Sequence, residues 1–388
     1  MITASFIFYF FYYLPVIFIE PKFETQVIDT AVAIGYGLAI GDVDGDRKPD
    51  ILLADKKQFV WYRNGDWKRF VMVENLTESD NVCIAARDID GDGKVEVAVG
   101  AQWNPGETSD TLKSGSVHYL IRPKDPTQKW TPVGLHHEPT IHRMRWVKVT
   151  ENTFQLIVLP LHGRGNKAGE GQGVNVIAYD IPKNPNQNWK YEVIDNTMHL
   201  THNLDVVENG KSEQIYIGGK EGIKVFSFEG GTWVASSGGW LVDGKSFGEV
   251  RVAKGPGGKR IIAGIEPMHG TELTVYAQNT NQSFQQAAEA RTVLTSDLNQ
   301  GHALGVYDLL GIENNQVVVG WREPNAEKKV GIKIFVNQGG SWNNFWVDEN
   351  GMACEDLQLA DLDGDGKQDI IASGRSTHNL KIYWNKSK

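Results

Sequence analysis

Nine of the ten histidines in this 388-residue sequence lie in short polar segments between predicted strands. The tenth, His118, falls inside a predicted strand. Imidazole titrates near neutral pH and binds transition metals, so a histidine cluster can supply a general acid and base or hold a metal ion. The nine are His136, His137, His142, His162, His199, His202, His269, His302 and His378.

A second chemical motif is acidic. The pattern Asp-x-Asp-Gly-Asp-x-x-x-Asp/Glu occurs three times, with carboxylates at alternate positions of a tight turn. Hard oxygen ligands at this spacing suit Ca²⁺, whereas carboxylates so close together repel each other without a cation. An Asx-type turn that needs no ion is the alternative. The predicted calcium ligands are Asp42, Asp44, Asp46 and Asp50, then Asp88, Asp90, Asp92 and Glu96, then Asp361, Asp363, Asp365 and Asp369.

Each acidic loop belongs to a larger repeat. An alternating apolar strand follows it, then a third strand, then a fourth that often begins near a tryptophan, as at Trp67. Four short strands in about 45 residues are typical of one blade of a β-propeller. Without the acidic loop, four more repeats can be aligned, and no helical periodicity separates them. The predicted first strands start near Tyr36, Val82, His142, His202, Glu249, His302 and Glu355.

The two ends of the chain complement each other. The seventh repeat reaches only three strands, and residues 22–29 resemble the fourth strand predicted at 188–195. Pairing the two ends would close the ring and remove its exposed strand edges. We therefore predict an all-β protein, a seven-bladed propeller over residues 22–388 whose last blade is completed by the N-terminal strand.

This topology gathers the histidines. In a propeller, the start of each first strand and each loop between second and third strands open at one end of the ring, and the acidic loops lie at the other. Three histidines and a glutamate at matching positions around the channel mouth are a ligand set for a divalent transition metal, with Zn²⁺ the expected ion. The predicted ligands are His142, His202, His302 and Glu249.

The loops at the same end supply further groups, among them Trp103, Glu266, Glu323, Arg375 and His378. We predict His137, His162 and His269 as acid and base, and Arg164 and Arg322 as supplementary positive charge. Two alternatives stay open. A lone channel histidine is often a hydrogen-bonded filler, and an imidazole cluster can act without metal.

The composition of the chain limits which classes of partner it can bind. The formal net charge of −9 argues against a nucleic-acid ligand, which requires a basic surface. Residues 1–21 are predicted to be a hydrophobic leader, either an export signal or an uncleaved membrane anchor, so we expect an exported protein. A mis-assigned start codon is the other alternative. Cys83 and Cys354 lie in apolar runs and are expected to be buried free thiols.

The acidic repeats resemble FG-GAP/VCBS propeller repeats, which implies the fold and its calcium loops. The polar segments resemble, in the same order, the propeller of aldos-2-ulose dehydratase/isomerase (anhydrofructose dehydratase) proteins. That resemblance implies a metal-assisted carbon–oxygen lyase that eliminates water from a small carbohydrate such as anhydrofructose or an aldos-2-ulose. The segments are 136–143, 160–165, 198–203, 248–251, 266–272, 301–304 and 320–323.

Two other functions remain possible from the sequence. A polysaccharide lyase of the ulvan-degrading type also uses seven blades with His and Tyr, but it predicts a long basic groove, and this chain has only scattered arginines. A non-catalytic propeller that binds glycans or proteins predicts loop aromatics and carboxylates, and gives no reason for so many inward histidines.

Overall fold

The computed structural model describes residues 19–255, 259–278 and 291–388, without the side chains of residues 237, 238 and 278. Within these ranges all regular elements are β-strands, arranged as seven four-stranded antiparallel sheets. The predicted seven-bladed β-propeller is confirmed. The hydrophobic leader lies almost entirely outside the described residues and stays a prediction. No helix in the described ranges is long and apolar enough to cross a membrane.

The strands follow one order in every blade, from the channel outward. Blades 1 to 4 comprise β2 (Gly37–Gly41), β3 (Asp50–Ala54), β4 (Gln58–Tyr62) and β5 (Arg69–Glu74); β6 (Cys83–Arg87), β7 (Glu96–Ala101), β8 (Ser116–Ile121) and β9 (Thr131–Leu135); β10 (Ile141–Thr150), β11 (Thr153–Pro160), β12 (Val176–Asp180) and β13 (Tyr191–Asp195); β14 (Thr201–Asn209), β15 (Ser212–Gly219), β16 (Gly222–Glu229) and β17 (Thr232–Asp243).

Blades 5 to 7 repeat this pattern. They comprise β18 (Val250–Lys254), β19 (Arg260–Glu266), β20 (Glu272–Gln278) and β21 (Arg291–Thr295); β22 (Gly301–Tyr307), β23 (Gln316–Trp321), β24 (Gly331–Gln338) and β25 (Ser341–Glu349); β26 (Cys354–Ala360), β27 (Asp369–Gly374), β28 (Asn379–Asn385) and β1 (Phe23–Asp29). Every inner strand begins within one residue of its predicted start. The sequence also predicts the fourth strand of blade 5 at residues 283–285, which lie outside the described residues; in the described structure the fourth strand of this blade is β21.

Burial explains why these segments form strands. The second strands β3, β7 and β27 are buried at every position, because neighbouring blades cover both of their faces. The outermost strand β13 is exposed at its first three positions. Tryptophans at the starts of fourth strands pack between blades, and Trp130 and Trp189 each donate an indole N–H to the carbonyl of the proline four residues earlier, at 3.0 Å.

The ring closes as predicted. β1 pairs antiparallel with β28, from Phe23 opposite Asn385 to Asp29 opposite Leu380. The Trp384 indole also donates to the Gln26 side chain at 2.9 Å. Blade 7 is tied to blade 1 because the backbone N–H of Leu38 donates to the Asp356 carboxylate at 2.7 Å. No blade edge is left open at this junction.

Candidate active site at the channel mouth

A β-bulge shapes the channel end of four inner strands. In β10, Ile141 pairs with Pro160 and Arg143 with Leu159, so His142 is an extra residue without a partner in β11. The same irregularity isolates His202 in β14, His302 in β22 and Glu355 in β26. A bulge re-aims the extra side chain. Three histidines and a glutamate are therefore displayed at equivalent places around the channel.

Each of these histidines is anchored to the next inner strand. Nδ1 of His142 lies 2.8 Å from the carbonyl oxygen of His202, and Nδ1 of His202 lies 3.0 Å from that of Gly248. Nδ1 of His302 lies 2.5 Å from the carbonyl oxygen of Glu355. A carbonyl oxygen only accepts, so Nδ1 carries the proton in each ring. The Nε2 lone pair is then free to act as an acceptor or a metal ligand.

Three imidazoles converge on one point. One ring nitrogen from each of His202, His269 and His302 lies within 4.8 Å of the other two. Nε2 of His202 is 2.7 Å from Nε2 of His269, and the rings of His269 and His302 are 5.0 Å apart. Burial lowers the pKa of all three, that of His269 to about 2, so the rings are neutral at neutral pH. Neutral imidazoles held at this spacing are suitable ligands for a transition metal.

His269 reaches the cluster from a loop, unlike its two neighbours. It follows β19 and has a left-handed backbone with φ of 53°. Two glycines admit the loop: a Cβ at Gly248 would approach the His269 nitrogen to 3.1 Å, and one at Gly301 would lie 2.8 Å from the Ile265 side chain. The loop is also held by a hydrogen bond from the N–H of Gly301 to the carbonyl of Gly270. Close backbone packing therefore positions this third imidazole.

A carboxylate between two guanidinium groups lies beside the imidazoles. Arg375 donates to both oxygens of Glu355, at 2.7 and 2.9 Å, and Arg322 lies 3.3 Å away on the other side. Arg322 also donates to Gln300 at 2.7 Å, and the Arg375 guanidinium lies 5.2 Å from the ring centre of Tyr36. Glu355 is buried, so its charge depends on these two partners.

These groups enclose a cavity of 160 Å³. It is lined by Tyr36, Val82, Trp103, His142, Arg143, His269, His302, Arg322, Glu355 and Arg375. Trp103 is tilted against His142 with ring centres 5.1 Å apart. Ligand sites for drug-sized molecules measure about 300–1,000 Å³. A cavity of this size suits a single small ring.

Of the four predicted metal ligands, His202 and His302 belong to the converging group, whereas His142 and Glu249 do not. His142 is a neighbour of His202, with ring centres 4.5 Å apart, but its Nε2 faces the Arg143 guanidinium at 3.3 Å. Glu249 lies on the Nδ1 side of His202, at 3.2 Å, and accepts from Asn203 at 2.6 Å. Burial would raise the pKa of Glu249, but His202 and Arg251 hold it below its usual range. The three imidazoles that converge belong to His202, His269 and His302, so His142 and Glu249 are absent from this set and His269 is added to it.

Three predicted catalytic residues lie elsewhere at this end of the ring, outside the cavity lining. Arg164 is paired with Glu138 at 2.9 Å, and His137 contacts the Glu138 carbonyl. His162 is at an isolated bridge with Leu200, and its Nδ1 is buried with no hydrogen-bond partner among the described residues. Arg322 and His269, the other two predicted catalytic residues, do line the cavity. Sequence reasoning overlooked Arg143, whose only signal was its place directly after His142.

His118 offers a test that is independent of the site. It lies in β8, its Nε2 has no hydrogen-bond partner in the described structure, and burial with nearby His137 lowers its pKa to about 4. A histidine in the unfolded chain has a pKa near 6.5, so stability is fully present above that pH and is lost as pH falls from 6.5 towards 4. Relative to His118→Leu, wild type should lose about 1.4 kcal/mol per pH unit in that window. Urea unfolding at several pH values measures this difference, and equal slopes would contradict it.

The three acidic loops share one geometry at the opposite end of the ring. In the first, Asp42 accepts the N–H groups of Gly45 and Arg47, and Asp50 accepts that of Val43 at 2.8 Å. Burial raises the pKa of Asp50 and of Glu96 to about 7, and that of Asp369 to about 6. Carboxylate oxygens within 4.8 Å of one another are contributed by Asp42, Asp44 and Asp50; by Asp88, Asp90 and Glu96; and by Asp361, Asp363 and Asp365.

The other predicted members of these loops have protein partners. Asp46 accepts the N–H of Lys48, and Asp92 pairs with Arg122 at 3.1 Å. Asp369 is buried and accepts N–H groups from Leu362 and Asn385. In blade 6 the Gln316 amide oxygen takes the place of the Asp369 carboxylate and accepts the N–H of Leu310, while Asp308 accepts the N–H groups of Ile312 and Glu313. The blade 6 loop therefore keeps a similar turn with fewer carboxylates than the three acidic loops.

Comparison with known proteins agrees with this architecture. Residues 114–279 match the family model of the aldos-2-ulose dehydratase β-propeller domain, and residues 24–99 match that of the FG-GAP-like repeat. The predicted resemblance is confirmed. The first match includes His142, His202 and His269, and the second includes the first two acidic loops. The chain thus contains a propeller related to that of a carbohydrate dehydratase.

A curated relative and two solved structures extend the comparison. Aldos-2-ulose dehydratase of Phanerodontia chrysosporium is 22% identical over 266 residues, which cover 63% of this chain and 28% of that protein. The chain therefore aligns with little more than a quarter of its relative. A chain of the mitotic checkpoint complex matches with a TM-score of 0.56 and 10% identity over 99% of this chain and 98% of that one. The structure of BBS1N in complex with ARL6DN matches with a TM-score of 0.54 and 13% identity, over 94% of this chain and 96% of that one. At these identities the two structures support the fold alone.

Proposed function

We propose that this protein is a metal-assisted carbohydrate dehydratase that removes water from a small keto-sugar at the channel mouth. One observation carries the proposal: His202, His269 and His302 converge beside a cavity lined by Arg322, Arg375 and Glu355, in a propeller related to that of a dehydratase. Elimination beside a carbonyl needs a base for the α-proton, positive charge for the developing oxyanion, and a donor for the departing hydroxyl.

The donor set fits a divalent transition metal. His202 and His302 each have Nδ1 engaged by a carbonyl and Nε2 available, and His202 also has Glu249 on its Nδ1 side, an outer partner typical of metal-binding histidines. When bound, Zn²⁺ or a similar ion supplies Lewis acidity to a substrate oxygen. The ligand set we propose is His202, His269 and His302.

His142 is the proposed base. Its Nδ1–H is donated to a carbonyl, so Nε2 carries the lone pair at the cavity wall, 3.3 Å from the Arg143 guanidinium. Burial and Arg143 keep the pKa of His142 well below its usual range, so the ring enters the reaction unprotonated. Replacement by alanine is expected to leave the bound metal in place and to lower kcat at least about 100-fold, the contribution of one positioned base. Metal content and turnover, measured together, test this.

The remaining cavity groups handle charge and orientation. Arg322 and Arg375 place two guanidinium groups where negative charge develops on the substrate. Burial and the neighbouring Asp80 raise the pKa of Tyr36 above its usual value, so its hydroxyl stays protonated, and it donates to the Asp80 carboxylate at 3.1 Å. Trp103 offers an aromatic face on which a sugar ring can pack.

The cavity geometry favours this function over the alternatives. A volume of 160 Å³ accommodates one small ring, whereas a polysaccharide lyase needs an extended groove. A glycan-binding propeller gives no role to three neutral imidazoles in contact with one another. Purified protein should be assayed with anhydrofructose and related keto-sugars for an enone that absorbs in the ultraviolet, with and without added Zn²⁺. Stoichiometric metal without turnover of any keto-sugar would overturn the proposal.

We further propose that the acidic loops bind structural Ca²⁺. Adding calcium after chelation is expected to raise Tm by roughly 5 °C, because an ion at 100 times its Kd contributes about 2.7 kcal/mol. Asp44→Asn should lower Tm in calcium but not in chelator, since Asp44 has few protein contacts and its pKa is raised by burial and by Asp46. Asp125→Asn, an exposed turn carboxylate, is the control. A calcium effect that is unchanged in Asp44→Asn would contradict the assignment.

A further inference from the structure

We propose that the channel-mouth cavity binds a carboxylate group of its ligand, so that the substrate is an acidic sugar, and that Arg143 is the specificity-determining residue. The reaction of this acidic sugar rests on the proposed function. The binding of its carboxylate rests on Arg143, which has no part in the proposed reaction. It follows from the charges that line the cavity.

The cavity has more positive than negative groups. Arg143, Arg322 and Arg375 line it, and Glu355 is its one carboxylate among the described residues. The four charges leave an excess of two positive charges when the histidines are neutral. The bidentate contacts of Glu355 are made with Arg375, and Arg322 lies at the longer distances of 3.3 and 3.5 Å. One glutamate therefore does not neutralise the site.

Arg143 is the cavity guanidinium that has no carboxylate in direct contact among the described residues. It is 5% exposed, and no carboxylate in the described part of the chain lies within 4.0 Å of its guanidinium. Its side-chain contacts are with His142, at 3.0 Å to the carbonyl oxygen and 3.3 Å to Nε2. A buried cation without a partner is costly, so a site that retains one is suited to an anionic ligand. A guanidinium fork also matches a carboxylate in geometry.

The nearest other acids, Glu249 and Asp356, interact with Arg143 only at longer range and have closer partners of their own. Glu249 lies 3.5 Å from Arg251 and accepts from Asn203. Asp356 accepts the N–H groups of Leu38 and Leu357. Neither residue lines the cavity. The excess charge therefore faces the space in which a ligand lies.

The test compares sugars that share a pyranose ring and differ at C6. Purified protein, in buffer with calcium and without added transition metal, is titrated by calorimetry with glucuronate, the methyl ester of glucuronic acid and glucose. Glucuronate is expected to bind at least tenfold more tightly than the two neutral sugars, and this preference should weaken as salt is raised. In Arg143→Gln the preference should disappear. Arg145→Gln is the matched control, because Arg145 lies on the same strand but lines a different cavity at the other end of the channel.

The outcomes separate this inference from the proposed reaction. Equal affinity for glucuronate and glucose in wild type, or a preference that persists in Arg143→Gln, would overturn the carboxylate site. A preference that is lost in Arg143→Gln and kept in Arg145→Gln supports it. If that pattern holds while no keto-sugar or keto-sugar acid is turned over, the dehydratase proposal fails and the carboxylate site stands. The thermal midpoint of each variant shows that the propeller has folded.

Discussion

Replacing His202 by alanine is expected to abolish binding of the proposed divalent metal and to lower kcat/KM by at least about 100-fold, because changing even an outer partner of a metal ligand costs up to about 100-fold. The change deletes one of three converging imidazoles and leaves Nε2 of His269 without its contact at 2.7 Å. It also removes the ring that lies between His142 and His302. Metal content after dialysis and the zinc Kd measure the first effect, and keto-sugar turnover measures the second.

Two variants sharpen this test. His378→Ala removes a histidine at the same end of the ring, one whose Nδ1 contacts the Val32 carbonyl at 3.0 Å and which does not line the cavity. It should retain both metal and turnover. His269→Ala should lose the metal and the turnover as His202→Ala does. If His269 were not a ligand, the His269→Ala variant would retain the metal. Full metal occupancy in both His202→Ala and His269→Ala would exclude the proposed ligand set.

Glu355→Gln is expected to destabilise the propeller by about 3 kcal/mol, which corresponds to a fall in Tm of roughly 6 °C. The glutamate is 1% exposed and is the carboxylate partner of both Arg322 and Arg375. Its amide analogue keeps the shape but leaves two guanidinium groups close together without a negative charge. The figure is at the low end of the range for broken buried pairs, because the Arg375 side chain is 36% exposed. Urea unfolding measures the change.

A double variant and a surface pair provide the controls. Adding Arg375→Gln to Glu355→Gln should recover part of the lost stability, since one uncompensated charge is then removed. Asp66→Asn breaks the exposed Arg63–Asp66 pair and should change stability far less than Glu355→Gln, because solvent screens this pair. If Glu355→Gln is as mild as Asp66→Asn, the Glu355 carboxylate does not stabilise the charges of Arg322 and Arg375.

The fold could be predicted because its signals are local. Alternating apolar residues, tight glycine turns and a recurring acidic loop mark each blade without reference to any other part of the chain. The inner strands therefore start where the sequence placed them, and the match between residues 22–29 and 188–195 identified the strand that closes the ring. The same alignment brought His142, His202 and His302 to one end of the channel.

The membership of the site was decided by tertiary structure. His142 and His202 occupy equivalent bulges, yet one ring faces a guanidinium and the other faces His269. Their orientations depend on carbonyl partners in the next blade and on the β-bulge that each histidine occupies. Neither feature can be recognised from the local sequence. His269 enters from a loop that Gly248 admits by close backbone contact. Residue types determined which chemistry was available, and contacts between blades determined which residues could perform it together.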